Sequence, residues 1–210
     1  MTSMRAVTVA SIACLAAAGA CTSGPPPPVD TRPYDQQVLA FRAEKDEAFR
    51  VGADSPIPEA ARATFTGLAY YPVDPAYRVP ASLAEDRSGP PSILELQTST
   101  DQRRKMRRVG SLTFTLGEAS YKLTAFADLD APTMNRLFVP FADLTSGDET
   151  YRGGRYLELD RTPTGLYDLD FNRAYHPFCV YNSTYDCPIP PRENRLPVAI
   201  RAGERLASPK

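Results

Sequence analysis

The first recurring pattern of apolar positions along the chain has helical spacing. Over residues 34–51, Val38 and Phe49 fall near one face of a helix, and charged residues occupy much of the remaining surface. Gly52 follows this segment, and glycine commonly ends a helix. We therefore predict a helix over residues 34–51. A short second helix is predicted over residues 58–65, where a proline stands at the favourable first helical position.

Beyond residue 67 the apolar positions alternate with polar ones, which is the period of a half-buried strand. Pro140 falls inside one such segment and indicates an edge strand or a bulge, because proline has no N–H for the sheet. Strands are predicted over residues 93–98, 112–116, 121–127, 136–141, 155–159, 166–171 and 198–201. Short strands at near-regular spacing predict a mainly β fold, either an antiparallel sandwich or a partly closed β-barrel with one or two short N-terminal helices.

Composition and charge narrow the class of protein. The 210 residues include 21 prolines, which disfavours long helices because proline clashes in a helix interior. Lys plus Arg number 24 and Asp plus Glu 25, so the basic excess of a nucleic-acid binder is missing and no nucleic-acid partner is expected. His176 is the only histidine, which excludes a multi-histidine metal centre, and no cofactor is predicted.

The N-terminal part of the chain predicts export and a lipid anchor. Residues 1–20 combine an early arginine with an uncharged apolar stretch too short to span a bilayer, as in a secretory signal peptide. The small residues before Cys21 look like a bacterial lipobox, which implies cleavage before Cys21 and acylation of its thiol, for example with palmitate. Residues 22–33 are proline-rich and predict an extended tether. The alternative is a soluble secreted protein that is cut nearby.

These segments divide the chain into four parts. They are a signal peptide (1–20), a lipidated cysteine with its tether (21–33), a single β-rich domain (34–205) and a short tail (206–210). On this interpretation the protein is exported and membrane-anchored on the outer face of the cytoplasmic membrane, or in the periplasm or outer membrane of a bacterium. Its expected contact with the membrane is the lipid anchor.

Two cysteines remain in the predicted domain, Cys179 and Cys187. Export favours a disulfide between them, and closing this short loop would stabilise the fold by roughly 2.6 kcal/mol. Two alternatives stay open. His176, Cys179 and Cys187 have a spacing that could hold a metal ion, although zinc sites usually show two such ligand pairs. In the other alternative, Cys179 is a nucleophile activated by His176.

Apolar and polar side chains alternate over residues 166–172, so Asp168, Asp170 and Asn172 share one face of the predicted strand. If this face meets solvent, the segment is an ordinary amphipathic strand. If it lines a cavity, it forms a row of acceptors for a cation or a hydroxylated ligand. A calcium-binding EF-hand is excluded, since Arg173 stands where the calcium loop needs glycine.

The loop over residues 145–156 contains three glycines together with Arg152 and Arg155. Glycines let backbone N–H groups form an anion-binding concavity, and arginine adds bidentate contacts, so a small acidic ligand is one interpretation. The other is a plain β-connection whose arginines are solvated or paired with Glu149 and its neighbouring aspartate. Tyrosines are also frequent here, as in binding pockets or on the rim of a β domain: Tyr151, Tyr156, Tyr167, Tyr175, Tyr181 and Tyr185.

Several motifs together resemble one known family. They are RAEKD at residues 42–46, YPVDPAYR at 71–78, LFVPF at 137–141, GRYL at 154–157, DFNRAY at 170–175 and ENRLP at 193–197. The chain resembles the bacterial and archaeal family named domain of unknown function 1684 over about residues 34–204. The resemblance implies no activity. His176 stands where the pattern of that family has asparagine, so the resemblance implies no essential imidazole either.

Our functional hypothesis is a noncatalytic binding module at the cell envelope for a small polar or anionic ligand. The proposed ligand-binding residues lie in the densest polar part of the chain: Glu149, Tyr151, Arg155, Tyr156, Asp168, Asp170, Asn172, Arg173 and Tyr175. One alternative is an enzyme that uses the same pocket with Glu149 or Asp170 as acid or base, although no nucleophile–base pair is visible in the sequence. The other alternative is a structural or partner-binding lipoprotein.

Overall fold

The computed structural model describes residues 30–86, 92–129 and 135–207. The predicted signal peptide, Cys21 and nearly all of the tether lie outside these residues. A compact unit begins at Arg32, and every element below belongs to it. None of the helices in the described ranges is both long enough and apolar enough to cross a membrane.

Among the described residues, two α-helices precede the sheet. The predicted first helix is confirmed as α1, Tyr34–Val51, and it ends at Gly52, where a Cβ would come within 2.4 Å of the Ala48 carbonyl oxygen. The second helix, α2, is Glu59–Arg62. It is shorter than the predicted 58–65, because the residues after it form only single turns with hydrogen bonds between positions three apart.

The buried face of α1 differs from the predicted one, because it includes a charged residue. Arg42 is buried along with Val38 and Phe49. The Arg42 guanidinium donates to the carbonyl oxygen of Tyr71 at 2.9 Å and lies 4.5 Å from the centre of the Tyr70 ring. This arginine therefore joins the helix to the segment after α2, which apolar periodicity alone does not reveal.

In the part of the chain that the structure describes, seven strands follow the helices. They are β1 (Arg78–Glu85), β2 (Ile93–Gln97), β3 (Arg103–Leu116), β4 (Ala119–Asp128), β5 (Arg136–Phe141), β6 (Arg155–Asp160) and β7 (Leu166–Asp170). All of their pairings are antiparallel. The strand order is β6-β5-β4-β3-β1-β7, with β2 paired to β3 beside this path. The sheet curls into a nearly closed barrel, which confirms the predicted mainly β class and its partly closed barrel form. The barrel does not close between its two end strands, β6 and β7.

The barrel interior holds the main apolar core. Leu112 of β3 and Leu169 of β7 are both fully buried there. Phe171 lies between two other phenylalanines, with its ring centre 5.5 Å from that of Phe114 and 5.3 Å from that of Phe141. Removing these rings from water supplies the main driving force for folding the sheet.

The sequence pattern does not reveal β1, because Pro80 lies inside it. Proline cannot donate to a sheet ladder and usually argues against an interior strand. The register shows how this one is accommodated: β1 pairs with β3 from Ala81 onward, whereas Pro80 lies opposite Asp168 on β7. The proline therefore lies outside the part of β1 that β3 covers.

The strand predicted over residues 198–201 is not formed. The buried guanidinium of Arg155 donates to the carbonyl oxygens of Ile200, Ala202 and Glu204 at 2.6, 2.5 and 3.1 Å. Within the predicted strand, the Ile200 carbonyl therefore bonds to an arginine side chain and not to the backbone of a neighbouring strand. Its path is irregular, and its geometry depends on a side chain of β6.

Of the two alternatives predicted at Pro140, the edge strand is wrong, since β5 lies between β4 and β6. The sheet is irregular there, however, because β5 pairs with β4 only at Phe138 and not at Pro140. The side chain of the buried Asn194 bridges β4 and β5 at this point. Its Nδ2 donates to the carbonyl oxygens of Thr124 and Pro140 at 2.9 and 2.7 Å, and its Oδ1 accepts from the Thr124 N–H at 2.7 Å. An amide side chain thus makes the hydrogen bonds that a neighbouring peptide would otherwise make.

The Asn194 bridge predicts a large loss of stability on truncation. Asn194→Ala should lower the free energy of unfolding by about 2–4 kcal/mol, because it leaves three backbone groups without their partner. Urea denaturation followed by circular dichroism measures this change. Glu193→Ala, at the exposed neighbouring position, should change stability by less than about 0.5 kcal/mol. Equal effects of the two substitutions would contradict the bridging role.

Candidate functional site

A cavity of about 480 Å³ lies in the gap between β6 and β7. Strand β6 contributes Glu158 and Asp160 to its wall, and β7 contributes Asp168 and Asp170. The first turn of α1 adds Tyr34. The two ends of the incomplete barrel therefore form the walls of a polar cavity.

On the β6 side of the cavity, Arg136 forms ion pairs with two carboxylates. Arg136 and Asp160 are register partners on β5 and β6. The Arg136 guanidinium lies 2.8 Å from Glu158 and 3.5 Å from Asp160. The other oxygen of Glu158 accepts a hydrogen bond from the Tyr175 hydroxyl at 2.8 Å. This wall therefore presents guanidinium donors directly beside carboxylate acceptors.

The β7 side of the cavity repeats this arrangement with two further ion pairs. Arg78 Nε donates to Asp168 at 2.7 Å, and its guanidinium lies 4.7 Å from the centre of the Tyr34 ring. Arg173 Nε donates to Asp170 at 3.2 Å. Charged side chains along a strand edge also discourage pairing with another chain. The cavity wall is therefore rich in charge, yet each charge on it has a partner.

Asn172 lies fully buried directly behind this wall. Its Nδ2 donates to the Tyr34 hydroxyl and to the carbonyl oxygen of Asp74, both at 2.8 Å. Its Oδ1 accepts from the Asp74 N–H at 2.9 Å. The Tyr34 hydroxyl in turn donates to Asp170 at 2.8 Å. This network fixes the start of α1 against β7 and so shapes one wall of the cavity.

The surroundings of these groups determine their protonation. Burial raises the pKa of Tyr34, and its hydrogen bond to the Asp170 carboxylate raises it further. Burial also raises the pKa of Tyr175. The hydrogen bond to Asp168 raises the pKa of Arg78. At neutral pH the cavity therefore contains protonated phenols and charged guanidinium groups, both of which act as hydrogen-bond donors.

The structure places four of the predicted ligand residues on this cavity: Asp168, Asp170, Arg173 and Tyr175. The predicted alternation of side chains between the two faces of β7 holds as far as Asp170. The chain then turns into a short 3-10 segment, Phe171–Arg173, which directs Asn172 into the interior instead of the cavity. Asn172 is therefore placed to support the wall, and a ligand does not reach it.

The structure does not bring Glu149, Tyr151, Arg155 or Tyr156 to this cavity. Arg155 is 1% exposed and forms an ion pair with the buried Asp143 at 2.7 Å. Its guanidinium also donates to backbone carbonyl oxygens, so Arg155 is not available to bind an anion. The small acidic ligand considered for the loop over residues 145–156 therefore finds no support at Arg155. Its position inside the fold was not detectable from residue type, because arginine is rarely buried.

Glu149 also has structural partners outside the cavity. It forms an ion pair with Arg201 at 2.7 Å and accepts a hydrogen bond from the Tyr71 hydroxyl at 3.0 Å. The hydrogen bonds from Arg201 lower the pKa of Glu149. A carboxylate kept ionised in this way does not serve as a general acid at neutral pH.

Tyr156 and Tyr175 line a second cavity of about 460 Å³ beside the first one. Tyr156 is buried, and its hydroxyl donates to the carbonyl oxygen of Pro188 at 2.5 Å. Burial raises the pKa of Tyr156, so the phenol stays protonated. Of the six predicted tyrosines, four therefore line one or both of the two cavities, whereas Tyr151 and Tyr181 line neither.

Cys179 and Cys187 are neighbouring free thiols. The backbone N–H of Cys179 donates to the Cys187 sulfur at 3.3 Å. A hydrogen bond from the Cys187 thiol stabilises the Cys179 thiolate and lowers the pKa of Cys179 to about 6. The disulfide stays a prediction, and the two residues have the proximity that it requires.

His176 does not support the metal or nucleophile alternatives. Among the described residues, no group of three or more His, Cys, Asp and Glu is placed to hold a metal ion, so His176, Cys179 and Cys187 do not form such a site. His176 is 1% exposed, and its Nε2 accepts a hydrogen bond from the Tyr151 N–H at 3.2 Å. Its acceptor nitrogen is therefore occupied and is not free to activate a thiol.

Sequence reasoning missed several residues of the cavity, among them Tyr34, Arg78, Arg136 and Glu158. One signal was present: Glu158 and Asp160 alternate along β6 as the two aspartates do along β7. The arginines gave no such signal, because their pairing depends on the strand order. Tyr34 of α1 gave no such signal either, because more than a hundred residues separate it in the sequence from its partner Asp170 on β7.

Residues 63–205 match the family described as "Protein of unknown function (DUF1684)". No curated protein matches the chain. Among solved structures, the chain is similar to the solution NMR structure of an uncharacterized protein from Haloarcula marismortui. The two are 42% identical, the match covers 82% of this chain and 94% of that one, and the TM-score is 0.65.

The burial of His176 predicts a dependence of stability on pH. Burial lowers its pKa from 6.5 to about 3, so below pH 6.5 the unfolded chain takes up a proton that the folded chain does not. The contribution of neutral His176 to the free energy of unfolding is therefore complete above pH 6.5. It is lost as the pH falls from 6.5 towards the pKa of His176 in the folded protein, by up to about 1.4 kcal/mol per pH unit.

His176→Asn removes this titration and retains an oxygen acceptor for the Tyr151 N–H. Urea denaturation at pH 7 and pH 5 should show that the wild type loses about 2 kcal/mol more than the variant over this interval. Parallel losses in the two proteins would show that His176 does not titrate on unfolding.

Proposed function

The chain belongs to the family described as "Protein of unknown function (DUF1684)", and from the geometry of its cavity we propose that it is a noncatalytic module that binds a small, uncharged, hydroxyl-rich ligand. The ligand would occupy the cavity of about 480 Å³ between β6 and β7. This volume is of the order that small-molecule sites have in proteins. The proposal refines the broader expectation of a small polar or anionic ligand.

The observation that carries the proposal is the series of arginine–carboxylate pairs along the wall. In each pair a guanidinium donor lies within about 3 Å of a carboxylate acceptor, as with Arg78 and Asp168 at 2.7 Å. A hydroxyl group both donates and accepts, so neighbouring hydroxyls on a ring match such pairs. The hydroxyls of Tyr34 and Tyr175 already donate to Asp170 and Glu158, so towards a ligand they offer acceptor oxygens.

The charge balance of the cavity favours an uncharged ligand over an anionic one. Four carboxylates and three arginines line it, and each arginine is paired with at least one carboxylate. An added anion would meet a slight excess of negative charge and no arginine without a partner. A hydroxyl-rich ligand can exchange its hydrogen bonds with water for those of the wall without bringing in a net charge.

The same geometry favours binding over catalysis. The described lining contains no serine, cysteine, histidine or lysine. Each of the four carboxylates lies against an arginine, so none can take part in proton transfer without giving up an ion pair. The raised pKa values of Tyr34 and Tyr175 disfavour a phenolate nucleophile or base at neutral pH.

We also propose that the module acts at the bacterial cell envelope, anchored through an acyl chain on Cys21. The support comes from the sequence, where an uncharged apolar segment, small residues, a cysteine and a proline-rich tether follow one another. A tether of this composition would keep the cavity away from the lipid surface.

The ligand proposal predicts stabilisation by sugars. At 10 mM, methyl glycosides in the gluco, galacto and manno configurations are tested against sodium phosphate by thermal denaturation. At least one glycoside with a dissociation constant near 1 mM should raise the melting temperature by about 3 °C, and phosphate should raise it by less. Asp168→Asn should abolish the shift, because it removes the charged acceptor of a wall pair.

The matched control is Glu47→Gln, which removes an exposed carboxylate paired with Arg50 on α1, outside the cavity. This variant should keep the full shift. A wild type that responds to no glycoside, or an Asp168→Asn variant that responds as the wild type does, would refute the proposed site.

The anchor proposal predicts acylation at one cysteine. When the full chain is expressed in a bacterium fed an alkynyl palmitate analogue, the wild type should carry the label and fractionate with membranes. Cys21→Ala should lose the label, whereas Cys14→Ala should keep it, since Cys14 lies in the segment that is removed. Labelling that survives Cys21→Ala would contradict this anchor.

A further inference from the structure

The second cavity, of about 460 Å³, differs in chemistry from the first. Its surface is largely apolar and is formed by Met106, Phe138, Tyr156, Phe178 and Tyr185. Phe138, Phe178 and Tyr185 are each half-buried, so the cavity retains apolar surface that the fold leaves in contact with water. The proposed hydroxyl-rich ligand does not account for such a surface.

The rings of this cavity are arranged edge to face. The centres of the Phe138 and Tyr156 rings are 4.7 Å apart at 73°, and those of Phe178 and Tyr185 are 5.3 Å apart at 81°. Such pairs present both a ring face and a ring edge, which are the two surfaces that an added aromatic ring packs against. Among the neighbouring charges, Arg104 lies 2.7 Å from Asp128, and Asp186 accepts a hydrogen bond from the Thr100 hydroxyl at 2.7 Å. An uncharged aromatic group therefore fits this cavity better than an ion.

The two cavities share a wall. Arg136, Glu158 and Tyr175 line both of them. The Glu158 carboxylate accepts from Tyr175 and Arg136, each at 2.8 Å, and the Tyr175 ring lies 5.7 Å from the Tyr156 ring in an edge-to-face contact. The two cavities therefore adjoin at these three residues, and a ligand that lies over them would contact the lining of both.

We propose that the aromatic cavity is a second subsite, which takes an aromatic group joined to a hydroxyl-rich ring held in the first cavity. This inference rests on the proposed function and adds the chemical class of the ligand, an aryl glycoside. Burial of the aryl group should strengthen binding roughly tenfold or more over that of the sugar ring alone. The polar cavity then selects the sugar, and the aromatic cavity selects its substituent.

The test compares ligands that differ only in the substituent. Isothermal titration calorimetry at pH 7 measures the affinity of the protein for methyl and 4-nitrophenyl glycosides in the gluco, galacto and manno configurations, and for 4-nitrophenol. In at least one configuration the aryl glycoside should bind at least tenfold more tightly than its methyl counterpart. It should also bind more tightly than 4-nitrophenol.

Two variants locate the effect. Tyr185→Ala should remove most of the aryl advantage and leave the affinity for the methyl glycoside unchanged, because the ring lines only the aromatic cavity. Tyr121→Ala is the matched control, since it removes a half-buried tyrosine that packs on Phe114. This variant should keep the full aryl advantage.

The outcomes separate the two proposals. Equal affinities for methyl and aryl glycosides would overturn the subsite and leave the proposed function standing. An aryl advantage that survives Tyr185→Ala, or 4-nitrophenol binding as tightly as the aryl glycoside, would also overturn the linked subsite. If neither kind of glycoside binds in any configuration, the proposed function fails and the subsite fails with it.

Discussion

The buried guanidinium of Arg155 fixes the path of the C-terminal segment, and the arrangement around the cavities depends on that path. Arg155 donates to the carbonyl oxygens of Ile200, Ala202 and Glu204, and to the buried carboxylate of Asp143 at 2.7 Å. A buried charge is tolerated only where hydrogen bonds and an opposite charge surround it. The segment has little regular structure, so a side chain from β6 sets its geometry.

The same segment then holds α1 against the barrel. The buried Glu204 carboxylate accepts hydrogen bonds from Lys45 of α1 at 2.5 Å, from the His176 N–H at 2.7 Å and from the Tyr181 hydroxyl at 2.9 Å. Lys45 lies in the second half of α1, whose first turn carries Tyr34 to the cavity. The link from Arg155 through the segment to Glu204 therefore positions a wall that lies elsewhere in the fold.

Local pattern was enough to predict α1, most of the strands and the row of aspartates at Asp168 and Asp170, because these features follow from spacing alone. It was not enough for Arg155, which we expected in a ligand site: residue type does not reveal that an arginine is buried among carbonyl groups. The arginine partners of the cavity carboxylates were missed for a related reason. Arg78 meets Asp168 because β1 pairs with β7, and that pairing is set by the whole sheet.

The C-terminal segment holds α1 on the barrel through Glu204. Hydrogen exchange measured by mass spectrometry on the wild type and on Glu204→Gln tests this link, because exchange reports local opening of each element. Amides of α1 should exchange at least tenfold faster in the variant, while those of β3 and β4 should keep their wild-type rates. Unchanged exchange in α1, or equal acceleration in α1, β3 and β4, would contradict it.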